Sequence, residues 1–330
     1  MGNLLFTINA ILPIILPILL GYFLKRINFL SKEFLNEANK FTFKILIPIL
    51  LFSNLYLADI TTINWAFVGF SAGAILILFF VGLLITLMIP DRKQKGVILQ
   101  ASFRSNYAII GIPLATMLGG ELAKAEASVV AAVSVPLFNM LAVIALSIFD
   151  HSEDSKVSFK DVLIKIIKNP LIIGVFCGLV VCMINTIINI NGGNVSEFLN
   201  ANMSFLPTTI KNIANLATPL ALIVLGGKFE FKAVKSLWKQ LTLSVTLRLV
   251  ITPLIFLVIA YFLGFNSATQ FAILIALFAT PIAVSSAPMA AQMGQDEELA
   301  GQIVVWTSAL SAFSLFIIIF ICAQIGIFTI

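Results

Sequence analysis

Two short polar stretches interrupt long apolar runs. The first reads Ser102-Phe103-Arg104-Ser105-Asn106-Tyr107, with Gly111-Ile112-Pro113 after it; the second reads Thr280-Pro281, with Ser285-Ser286-Ala287-Pro288 after it. Proline removes a backbone donor and clashes with the preceding turn, so each stretch predicts a break in a helix. In lipid, broken backbone has to face protein or a water-filled cavity. Hydroxyls, amides and one guanidinium at such a break suit a carboxylate, which accepts several hydrogen bonds and pairs bidentately with Arg. If the breaks cross, the second half-helix of each starts at the centre and turns its positive dipole end there. The expected substrate-binding set is therefore Arg104, Ser105 and Asn106 with Thr280, Ser285 and Ser286, while broken backbone at Gly111, Pro113, Pro281 and Pro288 supplies dipoles. A simple proline kink is the plainer reading of either stretch alone; the same break in both halves favours a binding site.

Arg104 and Arg248 are the basic residues that fall well inside apolar spans, and charge at that depth marks a functional site by default. For each, bonding to backbone carbonyls or snorkelling to the interface is the competing reading. Ser53, Asn54 and Arg248 are candidate cavity-lining residues, with an interfacial cap the alternative for Asn54. No Asp or Glu falls in the interior of a span, Glu126 and Glu298 standing at span ends, which speaks against a cation held by carboxylates. His151 is the one histidine, and no His-Glu-x-x-His stretch occurs. No enzymatic activity, cofactor or metal is expected from such a set. Cys177, Cys182 and Cys322 lie in apolar segments without metal-ligand spacing and read as small buried hydrophobes.

The elements that position these residues have to lie in a bilayer. Of 330 residues, 60% are hydrophobic and 11% charged, and the mean hydropathy of +1.08 exceeds what one soluble core can hide. Lipid is the expected surrounding. Apolar runs long enough to cross about 30 Å of hydrocarbon predict about ten spans, near 4–24, 41–57, 65–89, 97–118, 125–149, 170–190, 209–227, 236–263, 268–293 and 298–327. Alternate loops are basic, as with Lys25 and Arg26, Arg92 and Lys93, Lys160 and Lys165, Lys228 and Lys232. These face the cytoplasm, which puts both termini outside. The net charge of +5 is thereby explained without nucleic acid.

The halves also resemble each other. Ile98–Gly119 slides without a gap onto Ile273–Gly294, setting Ala101 on Ala276, Pro113 on Pro288 and Gly119 on Gly294. Five spans per half force opposite orientations, so the predicted fold is an all-α integral membrane protein of two inverted five-helix repeats, with discontinuous fourth and ninth helices. The expected division is a repeat over 1–149, a cytoplasmic linker over 150–169 and a second repeat over 170–330.

At Phe103-Arg104-Ser105-Asn106 followed by Ile110-Gly111-Ile112-Pro113-Leu114, at Pro48 with Phe52-Ser53-Asn54, and at Pro281-Ile282-Ala283-Val284-Ser285-Ser286, the chain resembles the auxin efflux carrier family. That family includes bacterial malate and malonate permeases and plant PIN-type auxin carriers. The resemblance implies a plasma-membrane carrier of small organic anions, a scaffold and a transport domain moving as an elevator, a bile-acid symporter or NhaA-like arrangement, and a homodimer. It places the substrate site at the crossing, with Asn106, Gly111 and Pro113 on one side and Pro281, Ser285 and Ser286 on the other. PIN-type carriers have a proline where Ser286 stands, and Pro288 follows two residues later. The rival readings are a non-transporting membrane sensor and a sodium-coupled symporter.

Overall fold

The computed structural model describes residues 2–56, 64–149, 164, 167–168, 170–190, 193, 195–228 and 234–328, and every element among them is helical. Most of the expected linker, 150–169, lies outside them. The helices used below are α1 (Gly2–Arg26), α2 (Lys32–Phe41), α3 (Ile47–Leu55), α4 (Trp65–Ile85), α5 (Arg92–Phe103), α6 (Ile112–Ser147), α7 (Pro170–Ile190), α8 (Val195–Asn202), α9 (Phe205–Asn215), α10 (Ala217–Gly227), α11 (Val234–Thr246), α12 (Thr252–Phe262), α13 (Ala268–Phe278), α14 (Ser286–Gln292) and α15 (Glu297–Gln324).

By length and composition, six helical stretches among the described residues can cross a membrane: Trp65–Met88, Arg92–Ser147, Ile172–Ile190, Phe205–Gly227, Ser236–Phe262 and Glu297–Gln324. This is a helical membrane protein. Two of the differences from the ten expected spans have identifiable reasons. The expected fourth and fifth spans run together in Arg92–Ser147, and the expected ninth is split into α13, of 11 residues, and α14, of 7.

Arg92–Ser147 does not run as one rod. Gly120 has φ 70° and ψ −160°, a region that glycine enters freely and L-residues rarely do. From there the chain returns along itself. A Cβ on Gly119 would meet the Ala123 side chain, the Tyr107 hydroxyl donates to the Ala127 carbonyl at 3.1 Å, Arg104 donates to Asn139 at 2.9 Å, and Gly96 lies against Ala145. Each later residue pairs with an earlier one, which is an antiparallel hairpin.

Three π turns share one cause. Thr42–Leu46 precedes Pro48, Tyr107–Gly111 precedes Pro113, and Leu247–Ile251 precedes Pro253. In each, the residue just before the proline donates five residues back: Ile47 to Thr42, Ile112 to Tyr107, Thr252 to Leu247. Proline has no N–H, and its ring clashes with the carbonyl four residues earlier. Widening one turn removes the clash and keeps the helix continuous. Two of these turns flank the site described next.

Packing is closest where side chains vanish. α1 crosses α10 with Gly21 against the Ile223 carbonyl and Gly226 against the Ile18 carbonyl, so a Cβ at either position collides with backbone. α3 packs on α7 and α13 on α6. From Phe271 to Ala279 the chain along α13 is buried on every side, as expected of a helix apolar all round in the centre of a bundle.

Candidate functional site

The two predicted breaks meet. α5 ends at Phe103, and Arg104 turns extended (φ −78°, ψ 119°) before helix resumes at Tyr107. α13 ends at Phe278, and an irregular stretch leads to α14 at Ser286. The Asn106 N–H donates to the Pro281 carbonyl at 2.8 Å. The Ser105 and Thr280 hydroxyls lie 2.7 Å apart; Thr280 gives its proton to the Ala276 carbonyl at 2.7 Å, so Ser105 donates. Both contacts join residues 175 apart, the same offset that superposes the two sequence segments. A Cβ on Gly111 would stand 2.9 Å from the Ala276 carbonyl, so this close crossing requires glycine there.

A cleft of about 40 Å³ opens at the crossing, with Arg104, Ser105, Asn106, Asn139 and Ser285 on its polar wall and Phe43, Ile47 and Phe138 among its apolar ones. That is room for about three water molecules. Arg104 is 2% exposed. Its Nη1 donates to Gln100 Oε1 at 2.8 Å and to Met289 Sδ at 2.9 Å; its Nη2 donates to Asn139 Oδ1 at 2.9 Å and to Ser285 Oγ at 2.8 Å. Those bonds use the four terminal N–H groups, so the bidentate fork expected from sequence is committed to protein. Nε–H and the charge remain for a ligand. Asn106, 3% exposed, keeps its Nδ2 donor without a partner. A buried donor left in that state costs about 1–3 kcal/mol until an acceptor arrives.

Arg248 takes a different place. It is fully buried, outside the cleft wall, and donates from Nε to the Thr280 carbonyl at 2.8 Å, from Nη2 to the Leu277 carbonyl at 2.8 Å and from Nη1 to the Phe103 carbonyl at 3.5 Å. Those carbonyls close the C-terminal ends of α5 and α13, where the negative dipole ends gather. One guanidinium therefore caps both helices that stop at the crossing.

The other expected residues divide by position. Ser105, Asn106, Arg104 and Ser285 face the cleft; Gly111, Thr280 and Pro281 form the frame around it. Ser286 is 1% exposed with its hydroxyl unpartnered, and it does not line the cleft. Pro288 lies on α14 and Asn54 on α3, with both side chains outside the described residues. Ser53 and Pro113 line a second, larger cleft of about 680 Å³ between α3, α6 and α9, where Lys124 and Lys211 also stand. Gln100, Asn139 and Met289, which complete the shell of Arg104, were not anticipated. Gln100 sits one helical turn before Arg104, a spacing at which side chains meet, and Asn139 is an amide within an apolar run.

Buried polar groups at a helix break, facing a small cleft inside a membrane-spanning bundle, define a membrane transporter by class. Comparison with known proteins gives its family: residues 6–319 match the membrane transport protein family, and the chain belongs to it, the family of the auxin efflux carriers. It is 24% identical over 320 residues, 93% of this chain and 95% of the relative, to an uncharacterized transporter of Methanothermobacter thermautotrophicus.

Proposed function

We propose that this protein is a secondary carrier of small organic anions, with malate, malonate and auxin-like carboxylates as the substrate class, working by alternating access at the crossing. In this reading the chain has ten spans in two inverted five-helix repeats, 1–149 and 170–330. The hairpin at Gly120 supports it by dividing the longest helical stretch into two passes, and the contacts at an offset of 175 residues support it because residues near a pseudo-two-fold axis meet their own counterparts. In this reading the basic loops face the cytoplasm and both termini lie outside the plasma membrane. Elevator movement of the crossing against a scaffold, in a homodimer, completes the reading by family likeness.

The observation that carries the proposal is the cleft itself, where a guanidinium bonded to neutral groups and an unpartnered Asn106 amide share one wall. A carboxylate satisfies both needs at once. Arg104 supplies charge and its Nε–H, Asn106 supplies Nδ2–H, and the N–H groups at the start of the helix from Tyr107 add a positive dipole end. The cleft has room for about three water molecules, so binding calls for it to open, and Phe43 in the π turn before α3 and Ile47 at the start of α3 are the apolar side chains positioned to move aside.

Counterflow in proteoliposomes with radiolabelled malate, malonate and indole-3-acetate tests this, comparing the native chain with Asn106→Ala and Arg104→Gln. Saturable exchange that both substitutions abolish is the expected result. No exchange of any of the three by correctly folded protein sinks the proposal.

A further inference from the structure

We infer that the carrier is an exchanger, because its empty site holds one uncompensated positive charge that crosses the membrane readily only with a carboxylate bound. The inference rests on the anion-carrier reading above and adds the mode of transport to it.

The two buried guanidiniums are balanced differently. Arg248 bonds to carbonyls at the C-terminal ends of α5 and α13, each end equivalent to about half a negative charge. Two such ends match one guanidinium. Arg104 stands instead beside the start of the helix that runs from Tyr107, whose dipole end adds about half a positive charge. Its four partners, Gln100, Asn139, Ser285 and Met289, are neutral. No described acidic side chain lines the cleft, and the ion pairs found among the described residues, Lys40 with Glu37 and Lys124 with Glu121, lie elsewhere. Asn106, buried on the same wall with Nδ2 unpartnered, adds a donor and no negative charge.

Alternating access returns the site after release, loaded or empty. The loaded site is close to neutral when one carboxylate sits against Arg104. The empty site carries its charge through the low-dielectric midplane, a barrier that slows return on the order of 100-fold. Exchange skips that step, whereas net transport includes it. Net transport is also the limb that feels voltage: one charge crossing the full field shifts its equilibrium about 50-fold per 100 mV.

The test uses native protein in proteoliposomes loaded with a radiolabelled monoanion, indole-3-acetate at neutral pH or malonate at mildly acidic pH where one of its carboxyls is protonated, with potential clamped by potassium and valinomycin. Efflux into the same unlabelled anion is compared with efflux into buffer that lacks it. At zero potential, exchange exceeding net efflux more than tenfold is expected, with net efflux the limb accelerated by an inside-negative potential. A ratio below tenfold for an anion that does exchange overturns the inference and leaves the carrier reading standing. Protein-dependent flux of neither kind overturns the carrier reading itself. A second arm uses Asn139→Asp, which puts a carboxylate beside Arg104 Nη2, 2.9 Å from it in the native pairing. In folded protein that still exchanges, the ratio falls toward one; an unchanged ratio counts against the charge as its cause.

Discussion

The two helix breaks at the crossing have the same outline and different chemistry. The first, Arg104–Asn106, carries a guanidinium and an amide and opens into helix that continues to Gly120 before turning back. The second, between Phe278 and Ser286, carries hydroxyls and no charge, and leads into the seven-residue α14. The first carries the groups proposed to meet a ligand; the second gives the Pro281 carbonyl to the Asn106 N–H and the Thr280 carbonyl to Arg248, which also bonds to Leu277 at the end of α13. In the proposed reading the crossing divides into a recognising half and a supporting half, and substitutions on each side should separate the roles.

The largest effect is expected from Arg104→Gln, which removes the charge at the cleft. Carboxylate counterflow should fall more than 100-fold, beyond what one charge-assisted hydrogen bond contributes. Retained exchange would show that helix dipoles alone recognise the anion. Asn106→Ala comes next. Loss of one donor to a charged ligand is worth about 1.5–3 kcal/mol, so apparent affinity should weaken roughly 10- to 100-fold, read from the concentration dependence of counterflow.

Arg248→Gln tests the supporting half. It strips the cap from three carbonyls and leaves the cleft wall intact, so the main loss should be stability, by about 3 kcal/mol, seen as a lower melting temperature in detergent. Surviving protein should bind carboxylate with little change in affinity. A sharp affinity loss at unchanged stability would move Arg248 into the recognising half. Gly111→Ala inserts a methyl 2.9 Å from the Ala276 carbonyl, and such overpacking costs typically 1–3 kcal/mol; thermal melts should show it with a drop in exchange. The smallest effect is expected at Ser286→Ala. Its buried hydroxyl bonds to nothing in the structure, and removing an unsatisfied group is neutral or mildly stabilising, so exchange should stay within about twofold. Ser285→Ala, which takes an acceptor from Arg104, should cost more.

The neighbouring serines illustrate how far the sequence could be read. Ser285 and Ser286 look equivalent in the chain, yet Ser285 bonds to Arg104 across the crossing and lines the cleft, while Ser286 does not line it. The irregular backbone between α13 and α14 decides which points inward, and no helical or strand period applies to such a stretch. The two arginines were similarly alike as intramembrane cations. Only their neighbours, supplied by other helices, make one a ligand candidate and the other a cap.

The sequence by itself determined the membrane class, the positions of both breaks and the offset relating them, because hydrophobicity, missing N–H groups at proline and repeated spacing are properties of the local chain. The tertiary structure alone decided that Arg104 spends its fork on Gln100, Met289, Asn139 and Ser285, that Arg248 closes two helix ends, and that Asn106 keeps a free donor. Apart from Gln100, the partners in these bonds lie 29 to 185 residues away along the chain. Hydrogen bonds are short and directional, so which of the available groups meet is settled by how the helices pack.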